Sequence, residues 1–223
     1  MEQSQINFSC LNRCISLCGM RGCGKSEMLR YLVMAEQHKF NKIFVISPTN
    51  ITNSFYNDFI PKENIFSEWS DEWIEKLIEI LKNLNKNKKC QSDKPINVLL
   101  ILDDCCSNTK FHNSKTFEKI FTTGRHFFIS CILTNQYIKH IPPSARMNSN
   151  FILVSNLNNN NIQILADEYT LGDCTRKEFI EIYKKATPNH GFLLINNSST
   201  KNNNIDEIYG VLRVPKECVK ILN

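Results

Sequence analysis

The sequence has 223 residues, of which 42% are hydrophobic and 22% are charged, and it carries a net charge of +5. This composition excludes an intrinsically disordered chain and allows one α/β domain with a sizeable hydrophobic core. The small excess of positive charge does not by itself indicate a nucleic-acid partner.

The sequence contains ten cysteines. They include no C-x-x-C pair and none stands at zinc-binding spacing from a histidine, so we expect reduced thiols in a reducing compartment. Residues 1–7 are polar and unlike a signal peptide, and the longest apolar runs, 98–102 and 127–133, are too short to cross a bilayer. We therefore expect a soluble intracellular protein without a membrane partner.

The first predicted strand, 14–18, runs into Gly-Met-Arg-Gly-Cys-Gly-Lys-Ser at 19–26. This is the G-x-x-x-x-G-K-S pattern of a phosphate-binding loop. Its glycines let backbone N–H groups point at a phosphate chain, and the helix predicted over 27–37 directs its positive dipole end to the same point. The predicted nucleotide-binding residues are Gly19, Arg21, Gly22, Cys23, Gly24, Lys25, Ser26 and Glu27.

Two side chains of this loop have predicted roles with ATP and Mg²⁺, the expected cofactors. Lys25 would reach the β- and γ-phosphates, and Ser26 would place its hydroxyl on the metal ion. Hydrolysis also requires a second support for the metal ion and an attacking water held in line. The rest of the chain must supply these.

The next elements lead to a pair of aspartates. A strand at 42–47 is followed by a short helix and loop over 51–67, and then by a helix that Ser70 caps and an apolar stripe over 73–84 identifies. The run Asn-Val-Leu-Leu-Ile-Leu at 97–102 predicts a strand that is buried on both faces.

Asp103 and Asp104 follow that strand directly. Asp103 is where the second support for Mg²⁺ (Walker B) is expected, and Asp104 is then placed to polarise the attacking water. Most ATPases with this arrangement have glutamate at the second position. The alternative is that one aspartate only caps the following turn.

The remaining elements alternate between helix and strand. They are a helix over 115–122, a strand over 127–133, a helix over 142–148, a strand over 151–154, helices over 162–169 and 176–186, and a hairpin of 191–195 with 209–214. This alternation predicts a parallel sheet with helices on both faces. We expect a single domain over 1–223, with its core at 13–155 and C-terminal helices and a hairpin at 156–223.

Three further side chains are candidates for the site. Gln136, at the end of the fourth strand, can hydrogen-bond both the γ-phosphate and the water. Arg125, just before that strand, is a candidate arginine finger that acts on the neighbouring subunit of a ring, and Arg146 is the competing candidate. Either arginine could instead form an ordinary surface ion pair.

This order of motifs resembles the FtsK/HerA superfamily of ring-forming, DNA-pumping ATPases, in which a glutamine ends the strand after Walker B and an arginine precedes that strand. The segments 45–49, 124–136 and 141–148 are similar to the poxvirus-type genome-packaging ATPases of large DNA viruses, virophages and related mobile elements. The resemblance covers residues 14–154. Asp104 departs from the glutamate that is general in the superfamily.

The resemblance implies a RecA-like core in which the strand that carries Gln136 lies between the Walker A and Walker B strands. It implies a homo-oligomeric ring of five or six subunits that uses ATP to push double-stranded DNA into a capsid through its portal vertex. The implied location is the host cytoplasm, at viral factories, and the virion. Candidate DNA contacts are Lys110, His112, Lys115 and the basic stretch 86–94.

Two alternatives remain open. A small P-loop kinase for a nucleoside or nucleotide would fit the size, but it needs an arginine-rich lid, and the region after 154 offers Arg176 and Arg213 alone. A nucleotide-dependent scaffold at the capsid vertex would gain support if Asp104 did not face the attacking water.

Overall fold

A central β-sheet carries the fold of this computed structural model, which describes residues 6–49, 54–86, 94–105, 111, 113–198, 204–216 and 218. The strands are β1 (Cys14–Gly19), β2 (Lys42–Ile46), β3 (Ile65–Phe66), β4 (Val98–Asp103), β5 (Ile129–Asn135), β6 (Phe151–Ser155), β7 (Phe192–Asn196) and β8 (Tyr209–Leu212). Their spatial order is β3-β2-β4-β5-β1-β6-β7-β8. The first six in that order run parallel, and β7 and β8 are antiparallel additions at one side.

Helices cover both faces of the sheet, as the alternation of elements predicts. They are α1 (Lys25–Glu36), α2 (Asp71–Lys86), α3 (Lys115–Thr123), α4 (Pro143–Asn148), α5 (Asn159–Tyr169), α6 (Arg176–Ala186) and α7 (Ile205–Ile208). One face packs against α1 and a short 3₁₀ turn, whereas α2, α3, α5 and α6 contribute to the core on the other face. Because both faces are covered, β4 is apolar and buried up to Asp103, and β5 is buried along its whole length.

Local sequence signals set where several helices begin. The Ser70 hydroxyl accepts a hydrogen bond from the Trp73 N–H (3.2 Å), and the Ser114 hydroxyl accepts one from the Phe117 N–H (2.9 Å). These side chains satisfy N–H groups that lack partners within α2 and α3. A reciprocal capping box, Thr175 with Glu178, begins α6 in the same way.

The strand order confirms the RecA-like arrangement. β5, which ends next to Gln136, lies between β1, which leads into the phosphate loop, and β4, which ends at Asp103. The C-terminal hairpin is also present, and its β7 pairs with β6. The hairpin therefore extends the main sheet.

Two sequence-based expectations need correction. The region 51–67, expected to hold a short helix and a loop, contains 3₁₀ helices at Phe55–Asp58 and Lys62–Asn64, but it also contributes the unpredicted edge strand β3 beside β2. The fourth strand begins at Ile129 and not at Phe127, because 124–127 forms a 3₁₀ turn and Phe128 has a left-handed backbone (φ 61°). The aromatic pair at 127–128 suggests a strand, but the turn excludes one.

The cysteines of the described segments are free thiols, and most are buried in the core. None of the helices in those segments has the length and apolar character that a bilayer-spanning segment needs.

Candidate active site

The loop between β1 and α1 turns through two glycines with left-handed backbones. Gly22 has φ 78° and Gly24 has φ 93°, values that other residues adopt only with strain. The Cys23 N–H donates to the Met20 carbonyl (3.3 Å), and the Met28 N–H donates to the Gly24 carbonyl (2.9 Å). The loop thus leads directly into the N-terminus of α1, where the helix dipole favours an anion.

Gly19 is required for a different reason, which is close packing. A Cβ at this position would lie 2.4 Å from the Ser155 carbonyl oxygen and 2.6 Å from the Cys23 Sγ. The Met20 N–H also donates to the Asn156 carbonyl (3.2 Å). The start of the phosphate loop is therefore pressed against the end of β6, and any side chain at 19 would separate them.

The polar side chains of the loop have different environments. The Lys25 ammonium donates to the carbonyls of Gly19 (2.5 Å) and Met20 (3.3 Å), so its charge lies across the first turn of the loop. Arg21 and Ser26 are exposed. Glu27 Oε2 is buried and has no hydrogen-bond partner among the described residues.

Asp103 is held at the end of β4 by side chains from two neighbouring strands. Its carboxylate accepts hydrogen bonds from the hydroxyl of Thr134, which is in β5, and from the Ser47 hydroxyl (3.2 Å), which follows β2. Tyr56 also lies close to this carboxylate. Burial raises the pKa of its phenol, and the Asp103 carboxylate raises it further. The carboxylate is fixed in position at the carboxyl edge of the sheet.

Asp104 adopts a left-handed backbone (φ 50°), and its N–H donates to the Thr134 hydroxyl oxygen (3.3 Å). Gln136 donates from Nε2 to Asp104 Oδ2 (3.4 Å). Burial raises the pKa of Asp104, the Asp103 carboxylate raises it further, and Gln136 and Lys25 act in the opposite direction without cancelling the rise. The structure thus brings the two aspartates and Gln136 together, with Lys25 within electrostatic reach.

Sequence reasoning missed Thr134, Ser47 and Tyr56 as parts of this site. Thr134 connects the two aspartates, because it donates to one and accepts from the N–H of the other. The available signal was positional, since Ser47 and Thr134 stand at the carboxyl ends of strands that flank β4. Tyr56 precedes β3 in a region whose structure the sequence pattern did not reveal.

Arg125 lies at the opposite, amino edge of the sheet. It is exposed and lines a cavity of about 190 Å³ together with Arg13 and several neutral polar residues. Within the described segments its guanidinium makes no hydrogen bond or ion pair. It therefore does not join the site of its own chain.

The Arg146 side chain, unlike that of Arg125, forms an ion pair and hydrogen bonds within its own chain. Its Nε pairs with Glu168 (2.9 Å), and its Nη1 donates to the carbonyls of Ile141 (2.7 Å) and Ile138 (3.4 Å). The side chain is only 16% exposed. These contacts fit a residue that ties α4 to α5, and they leave Arg125 as the free guanidinium of the two.

Most of the predicted DNA contacts fall where the structure describes nothing. Lys110, His112 and residues 87–93 of the basic stretch lie outside the described residues. Lys115 is the first residue of α3 and is exposed, and Lys86 ends α2.

The donor set at this edge fits Mg²⁺. The candidate ligands are the Ser26 hydroxyl and the Asp103 carboxylate, and hard oxygen donors with several retained waters are what this ion prefers. The observation that supports the fit is that Asp103 is held by two hydroxyl groups and directed to the edge where the phosphate loop ends. The described residues contain no cluster of three His, Cys, Asp or Glu side chains that would indicate another kind of metal site.

The phosphate loop, the strand order and the aspartate pair define a P-loop NTPase fold of the RecA-like type. The chain belongs to the family described as Poxvirus A32 protein, which matches residues 8–210. This is the family of the poxvirus packaging ATPase, so the resemblance inferred from the sequence is confirmed.

A relative and two solved structures extend this comparison. The chain is 32% identical over 204 residues to the uncharacterized protein 075L of Invertebrate iridescent virus 6, covering 91% of this chain and 77% of that protein. The genome packaging NTPase B204 of Sulfolobus turreted icosahedral virus 2, solved with AMPPCP, superposes with a TM-score of 0.61 at 15% identity, over 91% of this chain and 97% of B204. The conjugation coupling protein TcpA of pCW3, solved with ATPγS, gives a TM-score of 0.60 at 12% identity, over 96% of this chain and 66% of TcpA. These similarities establish the fold.

Proposed function

We propose that this protein is the ATPase of a viral genome-packaging motor, which hydrolyses ATP with Mg²⁺ and drives double-stranded DNA into a capsid. The observation that carries the proposal is the meeting of Asp103, Asp104 and Gln136 beside the phosphate loop. Membership of the Poxvirus A32 protein family supports the packaging role. B204 is named a genome packaging NTPase and TcpA a conjugation coupling protein, and both names are consistent with an ATPase that acts on DNA.

In this proposal, different groups of the protein have separate roles in ATP hydrolysis. Lys25 neutralises charge on the β- and γ-phosphates, and the backbone N–H groups of the loop orient them. Asp104 orients the attacking water and accepts its proton. Gln136 holds the Asp104 carboxylate and can contact the water. Ser26 and Asp103 would hold Mg²⁺, which would supply neutralisation of phosphate charge.

The proposed ring would bring Arg125 of one subunit to the nucleotide of the next. The support is its position, since its side chain is exposed, has no partner among the described residues and lies at the edge opposite its own phosphate loop. A contact between opposite edges of two copies is heterologous, and such contacts form a ring when the rotation between copies closes. DNA would pass through this ring and be held through its phosphates, at the portal vertex of a capsid, in host viral factories and in the virion.

The test is ATP hydrolysis by the purified protein with and without double-stranded DNA. We expect turnover that DNA stimulates, and loss of turnover in Lys25→Ala. Lys119→Ala is the matched control, because Lys119 forms a surface pair with Glu75 (2.8 Å). Absence of turnover in every oligomeric state would overturn the proposal, and transfer of phosphate to a nucleoside would indicate a kinase. Nucleotide binding without turnover would favour a scaffold.

A further inference from the structure

Two arginines reach the same cavity because the strands that follow them are neighbours. Arg13 directly precedes β1, and Arg125 lies in the turn that precedes β5. β1 and β5 pair in parallel, with Cys14 opposite Cys131, so both turns lie at the amino edge of the sheet. Neighbouring strands are only about 4.8 Å apart. Both arginines therefore line one cavity, which has a volume of about 190 Å³.

Neither guanidinium has a counter-ion in the part of the chain that the structure describes. Both arginines are exposed, and within the described segments neither guanidinium forms a hydrogen bond or an ion pair. The described lining of the cavity contains no aspartate or glutamate. Because arginine stays protonated in proteins, two positive charges that repel each other line one small cavity. An anion between them would remove this repulsion.

The inner wall of the cavity cannot supply that negative charge. Cys14 forms part of this wall, and its thiol is buried. Burial raises the pKa of the Cys14 thiol to about 12, and the positive charge of Arg125 acts in the opposite direction without cancelling the rise. The thiol is therefore neutral at physiological pH. The charge that balances the two arginines must come from another molecule.

The size and the neutral polar groups of the cavity suit a small oxyanion. Asn12, Asn148 and Ser198 belong to its lining. Amide and hydroxyl groups can donate hydrogen bonds to phosphate oxygens, and a guanidinium can donate two in parallel. A cavity of about 190 Å³ is smaller than the roughly 300–1,000 Å³ of pockets that hold whole small molecules. It therefore suits a single tetrahedral phosphate group better than a complete nucleotide.

Hydrogen bonds between several segments fix the walls of the cavity. Asn150 Oδ1 accepts from the Cys14 N–H (2.9 Å), and Asn150 Nδ2 donates to the Ser198 hydroxyl oxygen (3.0 Å). The Arg13 carbonyl accepts the N–H of Cys131 in the neighbouring strand (3.0 Å). The cavity is consequently preformed, which lowers the cost of ordering it around a ligand.

A residue with an uncommon backbone accompanies each arginine. Asn12, directly before Arg13, has φ 56°, and Phe128, which follows the turn of Arg125, has φ 61°. The Asn12 N–H donates to the Ser130 hydroxyl oxygen (2.8 Å), and the Phe128 N–H donates to the Arg125 carbonyl (3.2 Å). Left-handed backbones outside glycine are uncommon and concentrate at functional sites. Both arginines are thus held on tight, hydrogen-bonded turns.

We propose that this cavity is an oxyanion site in which Arg13 and Arg125 together hold one tetrahedral phosphate group. The group would be either the terminal phosphate of ATP bound to a neighbouring subunit or free inorganic phosphate. The first source rests on the proposed ATPase function and its ring, and it makes Arg13 a second arginine that acts on the neighbour. The second source requires neither, because one chain contains the whole cavity.

The first experiment measures binding of inorganic phosphate by calorimetry at constant ionic strength. The protein is Lys25→Ala, which lacks the ammonium group of the phosphate loop. Adding Arg13→Gln or Arg125→Gln should weaken phosphate binding about tenfold, as expected for loss of a charged hydrogen-bond donor. The matched control is Arg176→Gln in the same background, since Arg176 already pairs with Asp167 on the surface (3.0 Å). It should leave phosphate binding unchanged.

This measurement decides the oxyanion site without any hydrolysis. Weakening by both Arg13→Gln and Arg125→Gln, with no effect of Arg176→Gln, supports the site. The site is overturned if the Lys25→Ala protein binds no phosphate, or if either of the first two substitutions leaves the binding unchanged. It is also overturned if Arg176→Gln weakens the binding as much as they do.

The second experiment identifies the source of the phosphate group through DNA-stimulated ATP hydrolysis. If the group belongs to the neighbour's ATP, Arg13→Gln should lower turnover about tenfold. An equal mixture with Lys25→Ala should then rise to about a quarter of wild-type activity, because the Lys25→Ala subunits supply an intact Arg13. Activity at half that of Arg13→Gln alone would exclude the neighbouring subunit as the source.

The remaining outcomes separate this proposal from the function on which its first source rests. Unchanged turnover in Arg13→Gln, together with weakened phosphate binding, would support free inorganic phosphate as the ligand. Wild-type protein without turnover would overturn the proposed ATPase function. The calorimetric result would still decide whether Arg13 and Arg125 form an oxyanion site.

Discussion

The carboxyl and amino edges of the sheet both carry charged side chains, but they hold them in different ways. At the carboxyl edge, Asp103 and Asp104 are half-buried and share the Thr134 hydroxyl. At the amino edge, Arg13 and Arg125 are exposed around a small polar cavity. Groups that do chemistry within one chain need fixed positions, whereas groups that meet another molecule must stay accessible. The difference supports a site that is completed between subunits.

The largest expected effect comes from a substitution of Arg125 at the amino edge of the sheet. Arg125→Ala should lower DNA-stimulated hydrolysis about 10³-fold, as loss of an arginine finger does, and should leave the fold intact because the side chain is exposed. Complementation then distinguishes action in trans. An equal mixture of Arg125→Ala and Lys25→Ala, each inactive alone, should regain about a quarter of wild-type activity, since independent sites require one intact loop and one neighbouring arginine. A mixture as inactive as its components would rule out the trans role.

Arg146→Ala tests the competing candidate arginine with the same measurement. Its contacts with Glu168 and two backbone carbonyls predict a loss of about 2 kcal/mol in the free energy of unfolding. Folded Arg146→Ala should stay active alone, because its phosphate loop and Arg125 are intact, and an equal mixture with Lys25→Ala should keep about half of that activity. Inactivity of folded Arg146→Ala alone, with recovery to about a quarter of wild-type activity in the mixture, would exchange the roles of the two arginines.

The next effect on hydrolysis comes from a substitution of Asp104 at the carboxyl edge of the sheet. Asp104→Asn keeps the shape of the side chain but removes the base, so hydrolysis should fall about 10²–10⁴-fold while nucleotide binding persists. Single-turnover kinetics together with a binding isotherm separate the two quantities. Asp167→Asn is the control, since Asp167 pairs with Arg176 on the surface (3.0 Å). Equal losses in binding and in turnover would mean that Asp104 serves the ligand and not the water.

A smaller effect should follow from the hydroxyl that links the two aspartates. Thr134→Val leaves an Asp103 oxygen and the Asp104 N–H without this partner, which should cost about 1–3 kcal/mol of stability and reduce turnover about tenfold. Thr116→Val removes another buried threonine hydroxyl, bonded to Glu75 (3.3 Å). That control should lose stability with no matching loss of turnover per folded molecule. Parallel losses in both variants would make Thr134 merely structural.

The smallest effect concerns a charge fixed at the C-terminal end of α1. Burial raises the pKa of Glu36, but hydrogen bonds from Lys39, the Cys10 N–H and Ser9 outweigh it, so the net pKa is lowered. Folding therefore gains stability from the ionised form above the usual pKa of glutamate, and that gain is lost as the pH falls through the lowered value. Glu36→Gln should cost about 1 kcal/mol in denaturant unfolding at neutral pH. The difference should shrink below about pH 4, and a difference that grows in acid would contradict the sign.

The sequence predicted the carboxyl edge better than its surroundings. The phosphate loop and Asp103 stand in short motifs whose spacing is fixed along the chain, and long apolar runs revealed the strands that carry them. Ser47 and Thr134 could not be predicted in the same way, because their roles arise from strands that become neighbours only in the folded sheet.

The contact between the C-terminal part of the chain and the phosphate loop was hidden for a similar reason. The turn 187–190, just before β7, lies against the phosphate loop because β7 pairs antiparallel with β6, and nothing in the local sequence indicates which strand it joins. β3 was also missed, since two residues are too few for an alternating pattern to appear. Non-local pairing thus limits what the sequence predicts.

The position of β5 has a mechanical consequence. Every residue of this strand is buried, and the strand pairs with β4 on one side and β1 on the other. It begins just after the turn that holds Arg125 and ends at Asn135, whose side chain accepts the N–H of Gln136 (2.7 Å). Seven residues span roughly 23 Å at about 3.3 Å each. In the proposed ring, a strand paired on both sides would therefore connect the contact between subunits at the Arg125 turn directly to Gln136 and the groups proposed to hold the water.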